Sequence, residues 1–471
     1  MLKSGQHRTY LQNRQVWGPG IMRRRIEEKL TAFYHSDEKK ALLVTGARQV
    51  GKTYVIEETG KKAFANVVTI NFLENSAARD LFVDAMNTEA ILLRISAVAK
   101  TQLIPGRTLV FFDEVQECRE IVTAVKFLVE DGRFKYILSG SLLGIELKNI
   151  RSMPVGYMDI LQMYPMDLRE FAEAAHVSGR VLSVLEECFL ETKPVDALVH
   201  GQMMELFRLY LIVGGMPAAV AEYLKSNDLR RVVEVQKSIV TLYKKDIAKY
   251  DPQDKLYLEE IFDLIPSELN AKNKRFIMKN LNENFKLSRY ENSFIWLKDA
   301  GVALPTYCAA EPEAPLMLSR ATNLFKLFLD DVGLLASMYM DDIQLRILKR
   351  EQDINFGAVY ENAAAQELTA GGYDLYYYNN RKYGELDFLI EEAGEVIPIE
   401  IKSGKVYTRH AALTRIMDNP KYALTKAYVF CNDNLSSDGR IIYAPIYMLM
   451  FLKKHELPKE IIYRPNLDAL I

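Results

Sequence analysis

The run Gly46-Ala-Arg-Gln-Val-Gly51-Lys52-Thr53 constrains what this chain can fold into more than any other segment. It matches Gly-x-x-x-x-Gly-Lys-(Ser/Thr) without a mismatch, follows the apolar stretch ALLVT at 41–45, and leads into a helical pattern from Lys52. A tight glycine turn between a strand and a helix aims backbone N–H groups and the positive end of the helix at a bound phosphate. Gly46 and Gly51 permit the turn, and Ala47, Arg48, Gln49 and Val50 line it. Lys52 reaches the β- and γ-phosphates, Thr53 offers its hydroxyl to Mg²⁺, and Tyr54 completes the nucleotide-binding stretch. The ligands expected from this loop are ATP and Mg²⁺.

Such a loop needs a parallel sheet around it. NVVTINF at 66–72, TLVFFDE at 108–114 and YILSGS at 136–141 read as strands, and they alternate with helical stretches around 89–100 and 119–130. That alternation predicts an α/β core with helices on both faces of a parallel sheet. In TLVFFDE the apolar run ends in Asp113, a second contact for Mg²⁺, and Glu114, placed to polarise the attacking water as a general base. This pair argues for hydrolysis rather than binding alone. Ser139, slightly favoured over Ser141, is expected to sit between that water and the γ-phosphate as a sensor. An arginine at the γ-phosphate would complete the chemistry, with Arg48, Arg133 and Arg151 as candidates and none preferred.

A chain of 471 residues exceeds one ordinary domain. Apolar residues at 49% and charged residues at 26% are the balance of a folded soluble protein. A net charge of −2 lacks the global basic character of many nucleic-acid-binding domains, although a local basic groove stays open. Cys118, Cys188, Cys308 and Cys431 form no paired spacing and read as reduced thiols of a cytoplasmic protein. His176, His200, His410 and His455 have no zinc-ligand spacing. The apolar run from Ile441 to Leu452 is shorter than the roughly 20 residues a bilayer needs, so no membrane span is expected.

The pattern divides the chain into an N-terminal extension at 1–21, a P-loop core at 22–160 and a helical lid at 161–250. A connector at 251–345 and a C-terminal domain at 346–471 follow. In the connector, helical patterns around 256–264, 273–281 and 290–299 precede VALPTYCAA in a winged-helix-like order. In the C-terminal domain, a helix GAVYENAAAQELTAGG precedes ELDFLIEE and VIPIEIKSG. Glu361, Asp387, Glu400 and Lys402 thereby fall in the order of PD-(D/E)xK nucleases, with Glu400 and Lys402 on one face of a strand of period two. Asp387 and Glu400 would hold Mg²⁺ and Lys402 would orient a water. Arg381, Lys382, Lys405 and Arg409 are either phosphate contacts or a solvated rim.

Further motifs run along the chain: FFDEVQ at 111–116, ILSGS at 137–141, YPMDLREF at 164–171, YLIVGGMPAAV at 210–220, LYKKDIAKY at 242–250, FLDDVGLL at 328–335, VYENAAAQEL at 359–368, and GELDFLI through IEIKSGK at 384–405. Together with GARQVGKT they resemble a group of bacterial and archaeal AAA-superfamily ATPases with an uncharacterised C-terminal domain. The resemblance implies an AAA-type P-loop core, a helical lid, a winged-helix-like connector and a restriction-endonuclease-like α/β domain. Where many relatives place a Gly-Arg pair before the YPxxxxEF segment, this chain has Ser152-Met-Pro-Val-Gly-Tyr157, so no arginine role is carried over from there. The expected function is Mg²⁺-dependent ATP hydrolysis that drives or gates the C-terminal domains, with DNA or an unidentified protein as partner and a homo-oligomer left open. The alternatives are an ATP-dependent nuclease using the four C-terminal residues and a nucleotide-gated interaction switch with little turnover.

Overall fold

The structure is a computed structural model that describes residues 22–83, 87–118, 120–140, 156–250, 255–271, 276, 287–339, 343–349, 357–455 and 462–465. Helix α1 (Ile26–Tyr34) leads into β1 (Ala41–Thr45), α2 (Lys52–Ala63), β2 (Asn66–Asn71), α3 (Thr88–Val98), β3 (Thr108–Asp113), α4 (Glu120–Asp131), β4 (Lys135–Gly140) and β5 (Met158–Gln162). The five strands pair in parallel in the order β2-β3-β4-β1-β5. Alternation along each strand feeds two cores. Leu42, Val44, Leu109 and Phe111 pack with α1 and α2, whereas Ala41, Leu43, Val110 and Phe112 pack with α3 and α4. Burial on both faces is why TLVFFD reads as an unbroken apolar run. Strand β5 escaped the sequence reading because it is an edge strand, largely exposed, with Asp159 and Gln162 facing no core.

Five helices follow: α5 (Leu168–Ala174), α6 (Gly179–Glu191), α7 (Ala197–Val213), α8 (Pro217–Ser226) and α9 (Leu229–Tyr250). Asp167 and Glu170 close a capping box at the start of α5. Gly214, at φ +68°, ends α7, and Pro217 opens α8 after a bend of 120°. Among the described residues no single helix is long and apolar enough to cross a membrane.

The rest comprises α10 (Lys255–Asn270), α11 (Leu287–Asp299), β6 (Ala303–Ala309), β7 (Arg320–Leu329), α12 (Val332–Met338), α13 (Ile343–Lys349), α14 (Gly357–Ala370), β8 (Tyr376–Asn380), β9 (Gly384–Glu392), β10 (Glu395–Ile401), α15 (Ala411–Met417), β11 (Ala427–Cys431), β12 (Ser436–Asp438) and β13 (Ile441–Pro445). Its eight strands form one mixed sheet in the order β12-β13-β11-β10-β9-β8-β6-β7. The expected boundary at 345/346 therefore runs between strands of one sheet, since β6 pairs in parallel with β8 through Tyr307 and Tyr376. The hairpin β6–β7, in the segment expected to be a winged-helix-like connector, extends the C-terminal sheet, and the helix expected at 273–281 lies, apart from Phe276, outside the described residues. The apolar run at 441–452 divides at Pro445 into β13 and a 3₁₀ turn over Ile446–Phe451, so the last helix expected near 447–453 is that shorter turn.

Helix α14 joins the halves. It is buried on all sides from Ala358 to Leu368, which leaves it without an amphipathic stripe, and its polar residues have to be satisfied inside the core. Asn362 Oδ1 accepts from Leu329 N–H at 2.8 Å, and Gln366 Oε1 accepts from Val332 N–H at 2.9 Å. Glu367 Oε1 accepts from Leu168 N–H at 2.7 Å and from the Tyr210 hydroxyl at 3.0 Å. Burial, and then the charge of Asp167, push the Glu367 carboxyl from an ordinary 4.5 up to about 8. The folded chain therefore keeps a proton that the unfolded chain releases, so this group costs stability progressively as pH rises from 4.5 to about 8 and adds no further slope above. Glu367→Gln retains the accepting oxygen and removes the titration. Thermal unfolding should show it gaining on wild type between pH 5 and pH 8, and a constant difference would contradict the assignment.

Candidate functional site

The phosphate-binding loop lies where β1 meets α2, at the C-terminal ends of the strands, the usual ligand edge of an open α/β sheet. Gly46 takes φ +145°, and a Cβ there would lie 2.1 Å from Met163 O, so the chain admits only glycine where β1 and β5 diverge. Gly51, at φ +92°, is the N-cap of α2. Gln49 also lies in the left-handed region at φ +69°, a strained position between the two positive-φ glycines of the loop. Val50 is buried, and its carbonyl accepts from Arg24 at 2.9 Å; Arg24 also reaches Tyr164 O at 2.7 Å and Glu170 at 3.2 Å. The sequence reading missed Arg24. Its only signal was an arginine just before the first helix.

Lys52 opens α2 and is buried, with Nζ donating to the carbonyls of Gly46 at 3.0 Å and Ala47 at 2.9 Å. Burial lowers its ammonium to about 8, against the opposing pull of Glu114 and Asp113. Thr53 and Tyr54 are exposed, and the Thr53 hydroxyl donates to Asp113 Oδ2 at 2.9 Å.

Asp113 gathers the remaining groups. The side-chain amide of Asn71, at the end of neighbouring β2, donates to its Oδ2 at 3.0 Å, and the Ser139 hydroxyl from β4 donates to Oδ1. Asn71 was not foreseen, although its strand end is in register with Asp113. Glu114 leaves the strand at φ +55°, and its Oε2 accepts from the Gln116 amide at 2.5 Å. Ser139 thus meets Asp113. Ser141 and Arg151 lie outside the described residues. Arg133 pairs with Asp131 at 2.8 Å and with Glu89, while Arg48 pairs with Asp246 on α9 at 2.6 Å.

The four C-terminal residues also converge. Glu361 on α14 and Glu400 on β10 are buried, Asp387 on β9 accepts from Ile401 N–H at 2.8 Å, and Lys402 Nζ lies 3.1 Å from Glu400. Burial, with the nearby Asp387 charge, raises the Glu400 carboxyl well above its ordinary range. A fifth group was not foreseen: Lys326 from β7, fully buried, with Nζ 2.8 Å from Glu385 and 3.7 Å from Glu361. In sequence it is one charge in the apolar stretch LFKLFL, with nothing to mark its neighbours.

Comparison with known proteins agrees with the N-terminal geometry. Residues 38–172 match the family described as AAA domain, and residues 204–346 and 356–449 match two families described as domains of unknown function (DUF8612 and DUF4143). The chain is 22% identical to an uncharacterized protein of Methanocaldococcus jannaschii over 446 residues, which cover 89% of this chain and 86% of that one. Among solved structures it is similar to a Walker-type ATPase of Pyrococcus abyssi, at 14% identity over 68% of this chain and 96% of that chain with a TM-score of 0.41. It is also similar to the ORC1 protein of Aeropyrum pernix in complex with DNA, at 12% identity over 69% and 92% with a TM-score of 0.26. Residues 38–172 thus match an AAA domain, and they carry the phosphate loop on a parallel sheet as P-loop ATPases do.

Proposed function

We propose that this chain binds and hydrolyses ATP at the loop of residues 46–54 and passes its nucleotide state to the C-terminal sheet through α9 and α14. Loop amides from Gly46 to Tyr54 and the Lys52 ammonium hold the phosphates. The donor set fits Mg²⁺, because a hydroxyl and a carboxylate, Thr53 and Asp113, already adjoin at the mouth of the loop. When bound, the ion would neutralise phosphate charge. Glu114 takes the proton of the attacking water, held in place by Gln116, and Ser139 orients the group that Asp113 presents.

The observation that carries the coupling is the contact of the loop with α9. Arg48 is tied to Asp246, and the Tyr243 hydroxyl lies 3.2 Å from Arg48 O and 3.3 Å from Asp330 Oδ2 at the end of β7. One residue further on, Asp331 caps α12 and accepts from Gly215 N–H at 2.5 Å. Gln366 of α14 takes the next amide, that of Val332. The turn at Gly301 also presses on the loop, since a Cβ there would lie 3.0 Å from Ala47 N. Nucleotide entering the loop has to displace Lys52 from its own carbonyls, and Arg48 moves with that segment.

Turnover of MgATP should be present in wild type and absent in Lys52→Ala. Asp246→Asn, which contributes nothing to the phosphate cradle, should change nucleotide affinity by about 5-fold or more if α9 and the loop are coupled. Titration with a fluorescent ATP analogue checks it. An unchanged affinity together with unchanged turnover would remove α9 from the account.

A further inference from the structure

The four residues of nuclease-like order lead one to expect a divalent metal in the C-terminal site, and the donor set does not fit one. Lys326 brings a fully buried ammonium to 2.8 Å from Glu385 and 3.7 Å from Glu361, where a second cation would meet direct repulsion in a poorly solvated place. Its Nζ also stands 5.0 Å from the centre of the Tyr377 ring, a further favourable seat for a fixed cation. Lys402 Nζ lies 3.1 Å from Glu400, and one oxygen of Asp387 is taken by the backbone N–H of Ile401. Among the described residues no three His, Cys, Asp or Glu side chains are grouped so as to hold a metal ion.

We propose that the Lys326 ammonium is the resident cation of this site, standing where a nuclease of this order would carry its metal, and that the C-terminal domain does not cut phosphodiesters by metal-dependent chemistry. The cation comes from β7, a strand upstream of the four motif residues that reaches the site through the parallel pairing of β6 with β8. A PD-(D/E)xK pattern read from the C-terminal segment alone cannot register it. Four carboxylates, Glu361, Glu385, Asp387 and Glu400, then face two ammonium groups, Lys326 and Lys402, so that two of the four acidic groups are offset by cations built into the chain. The inference is independent of the ATPase reading, because none of its residues touches the phosphate loop.

The test is Mn²⁺ binding to the full chain without nucleotide, followed by electron paramagnetic resonance, beside cleavage of single- and double-stranded DNA and RNA with Mg²⁺ or Mn²⁺. Asp387→Asn should leave Mn²⁺ binding as it is in wild type, and neither protein should cleave. Lys326→Met should bind Mn²⁺ at least about ten-fold more tightly, with the gain lost again in Lys326→Met/Asp387→Asn, while Lys326→Arg stays like wild type. Wild-type binding or cleavage that Asp387→Asn abolishes would overturn the proposal, as would a folded Lys326→Met without the gain. Should Lys326→Met fail to fold, the comparison of wild type with Asp387→Asn decides alone.

Discussion

Glu114→Gln should bind ATP as tightly as wild type and hydrolyse it about 10²- to 10⁴-fold more slowly, the range expected when a positioned general base is lost. The carboxylate stands immediately after the buried Asp113, and its left-handed backbone at φ +55° turns it out of the strand line that Asp113 follows. Glutamine keeps the shape and can still hydrogen-bond Gln116, but it takes up no proton. Lys52 and the loop amides proposed to hold the phosphates are untouched, so affinity should be preserved. Single-turnover hydrolysis and nucleotide titration separate the two quantities. Equal turnover in the variant would move the base elsewhere.

Gly215→Ala should cost about 3 kcal/mol or more of stability, because the added methyl would lie 1.9 Å from Met166 O and 2.7 Å from Met166 N. These are backbone atoms of a segment that bonds back to the same glycine, Met166 N–H donating to Gly215 O at 2.7 Å, so neither partner can swing away. Relief has to come from parting the turn of α7 and α8 from the start of α5. That parting also pulls Gly215 N–H from Asp331. Gly201→Ala, on an open face of α7 with nothing within 4 Å of the new Cβ, is the control and should gain about 0.5–1 kcal/mol. Denaturant unfolding of the two variants beside wild type distinguishes a local clash from a general intolerance of alanine.

The central strands of the N-terminal sheet, β1, β3 and β4, were legible because they are buried on both faces and end in residues with chemistry of their own. Asp113, Glu114 and Ser139 could be put at or just after strand ends from sequence for that reason. What the sequence could not show was what these residues meet. Asn71, Arg24 and Lys326 are ordinary members of a strand end, a helix approach and an apolar strand, and their roles come from neighbours far away in the chain. The motifs YPMDLREF, YLIVGGMPAAV, FLDDVGLL and VYENAAAQEL gave a resemblance without a reason. The fold supplies it: Leu168, Tyr210, Gly215, Asp331, Gln366 and Glu367 satisfy one another in a single buried polar junction. Strand β5 and the placement of β6 beside β8 went unread because an exposed edge and a long-range parallel pairing leave little local pattern.

Hydrogen exchange of the Glu114→Gln chain, with and without MgATP, tests most directly whether the nucleotide site and the C-terminal half act as one. Altered exchange is expected in the loop at 46–54 and also at 329–335 and along α14. Protection confined to the loop and the neighbouring strand ends, with 329–335 and α14 unchanged, would contradict it.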